Sequence, residues 1–243
     1  MPVLDMAARR VEARTAVMRL PAHLLLAIVL VAGLAACAAS PEPTTPTRAM
    51  TVTIPVPVAD KAVIEAAEAT FTRRLNALGI TDITVTTGEA MKFTLAVPLA
   101  FDNELVDEVL RRPGVVAFVP WPAGEQPPSP GDRVPATVQP LVAATELASA
   151  AAITDSLGQP ALQIIFGTLG AEAFGTYTTD NILGYAPLVV DGVVLVAPSI
   201  GSPITGGELL ITFPTGEGPA IPLAAVVAII DAGPLPDAWT VQR

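Results

Sequence analysis

Residues 186–198 read Ala-Pro-Leu-Val-Val-Asp-Gly-Val-Val-Leu-Val-Ala-Pro. Two β-branched runs, Leu188–Val190 and Val193–Val196, flank Asp191-Gly192. A type I′ turn needs positive φ at both central residues, and Asp-Gly is among the pairs that accept it, so an antiparallel hairpin is expected here. Downstream, Glu208–Phe213 reads as a strand. Ala220–Ile230 reads as a helix beyond Pro222, ending before Gly233-Pro234-Leu235-Pro236. Ala238–Gln242 reads as a last short strand. Upstream, Leu147–Ile153 and Ala161–Phe166 read as strands paired across Asp155-Ser156-Leu157-Gly158, with a short helix through Leu169–Thr179 after them.

Further upstream, Pro120–Pro140 holds Pro127-Pro128-Ser129-Pro130-Gly131 and few apolar residues, which marks a linker or long loop. Before it the order of elements changes. Thr51–Val58 alternates like a strand, with Pro55 and Pro57 placing it at a sheet edge. Asp60 opens a helix whose apolar positions Ile64, Ala67, Phe71, Leu75 and Leu78 step by three and four to form one stripe. Gly79 stands where a left-handed cap is expected. Ile83–Thr87 and Lys92–Val97 read as strands around Thr87-Gly88-Glu89. Asp102–Arg112 reads as a second helix with Leu105, Val106, Val109 and Leu110 inward, Asp102 as its cap, and Arg111-Arg112 at its C-terminal end, where the helix dipole favours cations. Val115–Val119 is another strand. The order β-α-β-β-α-β is the ferredoxin-like one. The expected class is therefore α+β, a ferredoxin-like base with an inserted or appended α+β head.

The chain has 243 residues, 13 basic and 23 acidic, one His and one Cys. That is enough for one large domain or two small ones. Its 51% hydrophobic content is incompatible with a wholly disordered chain. A net charge of −10 argues against nucleic acid as a partner, since phosphate recognition needs a basic footprint. One Cys cannot supply an intrachain disulfide framework or a multi-cysteine zinc site.

Four arginines (Arg9, Arg10, Arg14 and Arg19) precede the uncharged, mostly apolar run Leu20–Ala36, interrupted only by His23 near its start. The apolar core Leu24–Ala36 is shorter than the roughly 20 residues a spanning helix needs. A basic segment, a short apolar core and small residues at its end describe a secretory signal over residues 1–36. Leu34-Ala35-Ala36-Cys37 resembles a bacterial lipobox, in which the Cys is acylated and becomes the mature N-terminus. The other reading is an uncleaved anchor with an incidental Cys. Met18-Arg19 is an alternative start. Cleavage before Cys37 leaves 9 basic and 21 acidic residues, a net charge of −12, and no histidine. Histidine-dependent triads, imidazole metal ligands and histidine bases are then excluded. Residues 37–50, with three prolines and no periodicity, read as a tether that holds the folded part off the membrane.

Five short segments, taken in order, resemble the large extracytoplasmic domain of SecD, the accessory subunit of the bacterial Sec translocase. Arg74-Leu75-Asn76-Ala77-Leu78-Gly79-Ile80 resembles its R-x-N-x-x-G-(V/I) segment. Phe174 with Thr178, Thr179 and Asn181 resembles F-x-x-x-T-x-x-N. Val190-Asp191-Gly192 with Ala197-Pro198 resembles its L-D-G…A-P hairpin. Ile204-Thr205-Gly206-Gly207 resembles the segment that follows, and Gly233-Pro234-Leu235-Pro236 resembles G-A-L-P. The family's opening D-x-x-G-G and the Gly after Pro98 are absent. The chain also ends at Arg243, where the family's membrane bundle begins, so the resemblance implies a stand-alone lipoprotein without the proton-driven motor. It implies a base at 51–121, a linker at 122–137, a head at 138–233 and a segment at 234–243 returning toward the base. It also implies that the head contacts translocating polypeptide, with Val190, Asp191, Gly192 and Val193 as the candidate contact hairpin.

Catalysis would have to rest on carboxylates. Asp102, Glu104, Asp107 and Glu108 share one helix and read as a solvated face rather than a split acid–base pair. Asp191 reads as a turn former, and Asp180-Asn181 lacks the D-x-[DN]-x-[DN]-G context of a calcium loop. Gly216-x-Gly218 lacks the third glycine of a dinucleotide loop, and the chain has no P-loop sequence. The expectation is no enzyme, no cofactor and no metal. The apolar runs Leu188–Val196 and Ile221–Ile230 are core, or partly a groove for unfolded polypeptide. The expected function is a membrane-anchored extracytoplasmic binding module of protein export, meeting Sec translocase subunits or unfolded secretory polypeptide. The alternative is a structural or interaction lipoprotein of the same fold with no role in secretion.

Overall fold

The computed structural model describes residues 46–56, 60–88, 90–213 and 221–237. Residues 1–36, Cys37, most of the expected tether, Gly216-x-Gly218 and the expected strand Ala238–Gln242 lie outside the described residues.

The first half follows the expected order. Strand β1 (Thr47–Pro55) starts inside the expected tether, because its nine residues pair in continuous antiparallel register with β3 (Ala90–Pro98), from Thr47↔Pro98 to Pro55↔Ala90. Backbone pairing there overrides the absence of a hydrophobic pattern. Helix α1 (Lys61–Ala77) is capped by the Asp60 carboxylate, which accepts from Ala62 N at 2.8 Å. Its stripe buries Ala67, Phe71 and Leu75, and Phe71 meets Phe93 of β3 edge-to-face at 5.5 Å. Strand β2 (Ile83–Thr87) pairs with the other side of β3, which gives a first sheet ordered β1-β3-β2. Helix α2 (Asn103–Arg111) is capped by Asp102 at Leu105 N and buries the four expected apolar residues.

The ferredoxin-like sheet does not close. The fourth strand, β4 (Val116–Phe118), leaves the first sheet and pairs with β5 (Val142–Ala143) on one side and β8 (Leu188–Val190) on the other. The cause is local. Pro113 offers no N–H, and Gly114 at φ +82° turns the chain away after α2. The hairpin partner of β8 is β9 (Val193–Val196), so this sheet runs β5-β4-β8-β9. Asp191 at φ 53° and Gly192 at φ 77° make the positive-φ turn that the dipeptide implies.

A third sheet holds β6 (Leu147–Thr154), β7 (Pro160–Phe166) and β10 (Glu208–Thr212), ordered β10-β7-β6 and antiparallel throughout. Helix α3 (Thr168–Asp180) follows β7. Helix α4 (Leu223–Ala232) buries Ala225, Val226, Ala228, Ile229, Ile230 and Ala232, a near-complete apolar surface, because it lies between α1, α2 and β6. One main apolar core therefore joins the sheets and helices, beside a small second cluster of Val119, Val189 and Val194. Phe118, Phe166 and Phe174 join β4, β7 and α3 at centroid distances of 4.7 to 5.6 Å. The proline-rich segment is irregular, as expected, but it is bonded to the hairpin. Gly131 N donates to Val194 O, Val194 N to Asp132 O, and Val134 N to Gly192 O, at 2.8 to 2.9 Å.

Candidate functional site

The residues that sequence reading singles out fall into two groups that hold the fold. The first surrounds Arg74. Its side chain has no exposed surface. Nη1 donates to Val109 O (3.0 Å) and Arg112 O (2.7 Å), and Nη2 donates to Pro113 O (2.9 Å) and Gly233 O (3.0 Å). One guanidinium thus ties α1 to the end of α2 and to the segment after α4. The Val109 and Arg112 carbonyls lie at the end of α2 and that of Gly233 at the end of α4, where a cation also meets the dipole. Burial lowers the Arg74 pKa from its ordinary value to about 10, with Asp191 opposing that shift, so the group is a cation at neutral pH.

Asp191 approaches the same loop from the hairpin. Its Oδ1 accepts from Gly114 N at 2.8 Å and from Val115 N at 2.9 Å, and Arg112 Nη1 lies 3.8 Å from Oδ2. Val190 is fully buried, Gly192 is exposed and Val193 is half-buried. Of the candidate contact hairpin, then, Gly192 and part of Val193 face solvent, while Asp191 Oδ1 is occupied within the fold and its buried Oδ2 has only the distant Arg112 cation. Sequence reading took Asp191 for a turn former and missed this second task, because its partners lie 76 and 77 positions away.

The second group lies on α3. Phe174 is in the aromatic cluster. Thr178 is buried and its hydroxyl accepts from Ile204 N at 2.9 Å, so α3 holds the Ile204–Gly207 segment. Asn181 Nδ2 donates to Tyr177 O at 3.0 Å and closes the helix. The Tyr177 phenol accepts from Trp121 N at 2.6 Å and donates to Tyr185 O at 3.1 Å, and burial raises its pKa. Nothing in the spacing of the sequence marks Tyr177 or Arg74 for these contacts.

The helix α2 carboxylates are engaged locally. Asp102 is the cap, Asp107 pairs with Arg111 at 3.2 Å, and Glu108 pairs with Arg112. Glu104 lies in the first turn, where the dipole favours an acid. Among the described residues no group of three His, Cys, Asp or Glu side chains is placed to hold a metal ion, and no helix is long and apolar enough to cross a membrane.

The open surfaces lie elsewhere. Grooves of about 410 and 510 Å³ flank α3. Glu172, Thr176 and Asp180 line both, with Thr205 on one side and Leu141 on the other. The outer face of the β10-β7-β6 sheet exposes Leu210 and Ile165. Residues 123–236 contain ten acidic residues and one basic residue, Arg133, so most of the molecule's negative charge is here. An acidic α+β domain, held together by its motif residues and open along one helix and one sheet, is the class that fold and surface define.

Comparison with known proteins shows what this domain is similar to. Residues 123–236 match the family described as the SecDF P1 head subdomain. The protein translocase subunit SecD of Rhodobacter capsulatus is 38% identical over 101 residues, covering 42% of this chain and 18% of that relative. SecD of Acidaminococcus fermentans is 26% identical over 164 residues, covering 68% of this chain and 35% of the relative. SecDF of Thermus thermophilus is 33% identical over 97 residues, covering 40% of this chain and 13% of the relative. The chain thus spans about a third of these relatives' length or less. A structure described as a membrane component SecDF that enhances protein export aligns with TM-score 0.55 and 22% identity, over 77% of this chain and 95% of that one. SecDF in its super-membrane-facing form aligns with TM-score 0.58 and 21% identity, over 79% of this chain and 29% of that one. Residues 123–236 are therefore similar to the SecDF P1 head subdomain, and the fold is α+β as expected.

Proposed function

We propose that this chain is a membrane-anchored extracytoplasmic lipoprotein that serves protein export as a non-catalytic binding module, meeting translocating polypeptide or Sec translocase components. The observation that carries this reading is the match of residues 123–236 to the SecDF P1 head subdomain. The residues that make the resemblance are occupied with backbone hydrogen bonds and core contacts, which favours a binding role over a catalytic one. In this reading residues 138–233 are the head and 51–121 the base, joined by 122–137. Cys37 carries the lipid, the residues between Cys37 and β1 are the tether, and 234–243 returns toward the base. Gly192 and Val193 are positions where the head meets polypeptide.

Hydrogen exchange of the whole chain tests binding. With a saturating unfolded secretory polypeptide, amides within 138–233 gain protection; exchange unchanged throughout the head contradicts the reading. Mass spectrometry of the N-terminus tests the anchor. The expected product starts at an acylated Cys37, and Cys37→Ser accumulates as a heavier, uncut precursor.

A further inference from the structure

Resting on the polypeptide-binding reading, we infer that the outer edge of β10 takes up an extended, positively charged polypeptide segment as an added strand. The register fixes which backbone groups face outward. Phe166 N donates to Gly207 O at 2.9 Å, and Phe213 N donates to Pro160 O at 2.8 Å. In an antiparallel ladder this alternation turns residues 207, 209, 211 and 213 toward β7. It turns the N–H and C=O of Glu208, Leu210 and Thr212 outward. Among the described residues no strand pairs with that side.

An open edge of this kind is a template for another chain, and main-chain pairing accepts many sequences. The opposite edge of the sheet is already covered. There β6 lies against α4, and Ala150 N donates to Asp231 Oδ1 at 3.0 Å. Beside the β10 edge, Leu210 is 49% exposed and Ile165 43%, so every second side chain of an added strand meets an apolar shelf.

Charge selects the occupant. Glu208 stands on the strand itself, and the Thr205–Gly207 approach to β10 borders the groove that holds Glu172 and Asp180. With ten acids against one base in residues 123–236, a Lys- or Arg-bearing segment is attracted, and both an acidic segment and a second copy of this chain are repelled. The other open edges, β1 and β2 of the first sheet, suit such a segment less well. Their exposed face carries Lys92 between Thr53 and Thr86, with Thr51, Thr94 and Thr84 alongside.

The test uses the full chain and labelled twelve-residue Val/Thr peptides with either four Lys or four Glu, read by fluorescence anisotropy. The Lys peptide binds about tenfold or more tightly than the Glu peptide, as several weak surface charge contacts would give, and added salt narrows the gap. N-methylation of alternate peptide amides abolishes binding to the unaltered protein. Leu210→Pro removes an outward N–H that the fold does not use, and also abolishes binding. If the Lys peptide binds equally after N-methylation and to Leu210→Pro, the edge assignment is overturned while polypeptide binding stands. Equal binding of the Lys and Glu peptides overturns the charge selection. Failure of both peptides to bind overturns the polypeptide-binding reading with it.

Discussion

Arg74 and Asp191 are the residues on which the two halves of the described chain meet. A buried guanidinium is costly unless its donors are paired, and four carbonyls pair its two Nη groups here, while Nε is buried without a hydrogen-bond partner. Removing it leaves those carbonyls buried without that donor. Arg74→Met is expected to lower stability by about 3–5 kcal/mol, read from the urea midpoint of the full chain. Because the folded pKa of about 10 lies below the ordinary arginine value, the cost of burying the charge is constant below about pH 10 and is relieved only as the pH rises from there. The Arg74→Met difference therefore stays constant between pH 6 and 8. Gly114 belongs to the same node, since a Cβ there would lie 2.0 Å from Arg74 Nη2 at a backbone φ of +82°. At Asp191, Asn keeps an oxygen for Gly114 N and Val115 N and tolerates φ 53°, whereas Ala does neither. Asp191→Asn is expected to cost under about 1 kcal/mol and Asp191→Ala about 1–3 kcal/mol in the same measurement. The resemblance picked out both residues, and Asp191's turn was legible from the dipeptide. Their meeting was not, because it joins positions over a hundred residues apart and no local pattern records such a contact.

At the scale of elements, the helices and hairpins were legible wherever a period or a cap carried the signal. The stripe of α1, the Asp60 and Asp102 caps, the β6–β7 pair and the β8–β9 hairpin follow from neighbours in sequence. The pairing of β4 does not. A three-residue Val-Ala-Phe strand fits any sheet, and its place was decided by Pro113-Gly114 before it and by Val142-Ala143, too short to show a period. The Pro-rich stretch likewise reads as a linker because its hydrogen bonds are long-range. Helix α3 gives a sharp test of close packing. Gly170 sits where a Cβ would fall 2.6 Å from Glu146 O, whereas nothing lies within 4 Å of one at Gly201. Ala normally gains about 1 kcal/mol over Gly inside a helix. The contact reverses that sign, so Gly170→Ala lowers the thermal midpoint by several degrees and Gly201→Ala leaves it within about a degree.

At the scale of the molecule, charge and topology divide the labour. Both signs are mixed in the first half, while residues 123–236 are almost purely acidic. Composition shows the total charge but not where the fold gathers it, nor which sheet edge it leaves open beside it. The similarity of residues 123–236 to the SecDF P1 head subdomain, with motif residues engaged in hydrogen bonds and core contacts, supports the proposed binding surface over a reaction centre. In-cell photo-crosslinking tests that claim most directly, with photoreactive residues placed at Gly192, Val193 and Leu210 and adducts identified by mass spectrometry. Adducts to Sec channel subunits or to many emerging secretory proteins are expected. A single dominant unrelated adduct, or none above background from a folded and anchored protein, would contradict that claim and leave a SecD-like fold in an interaction lipoprotein with no part in secretion.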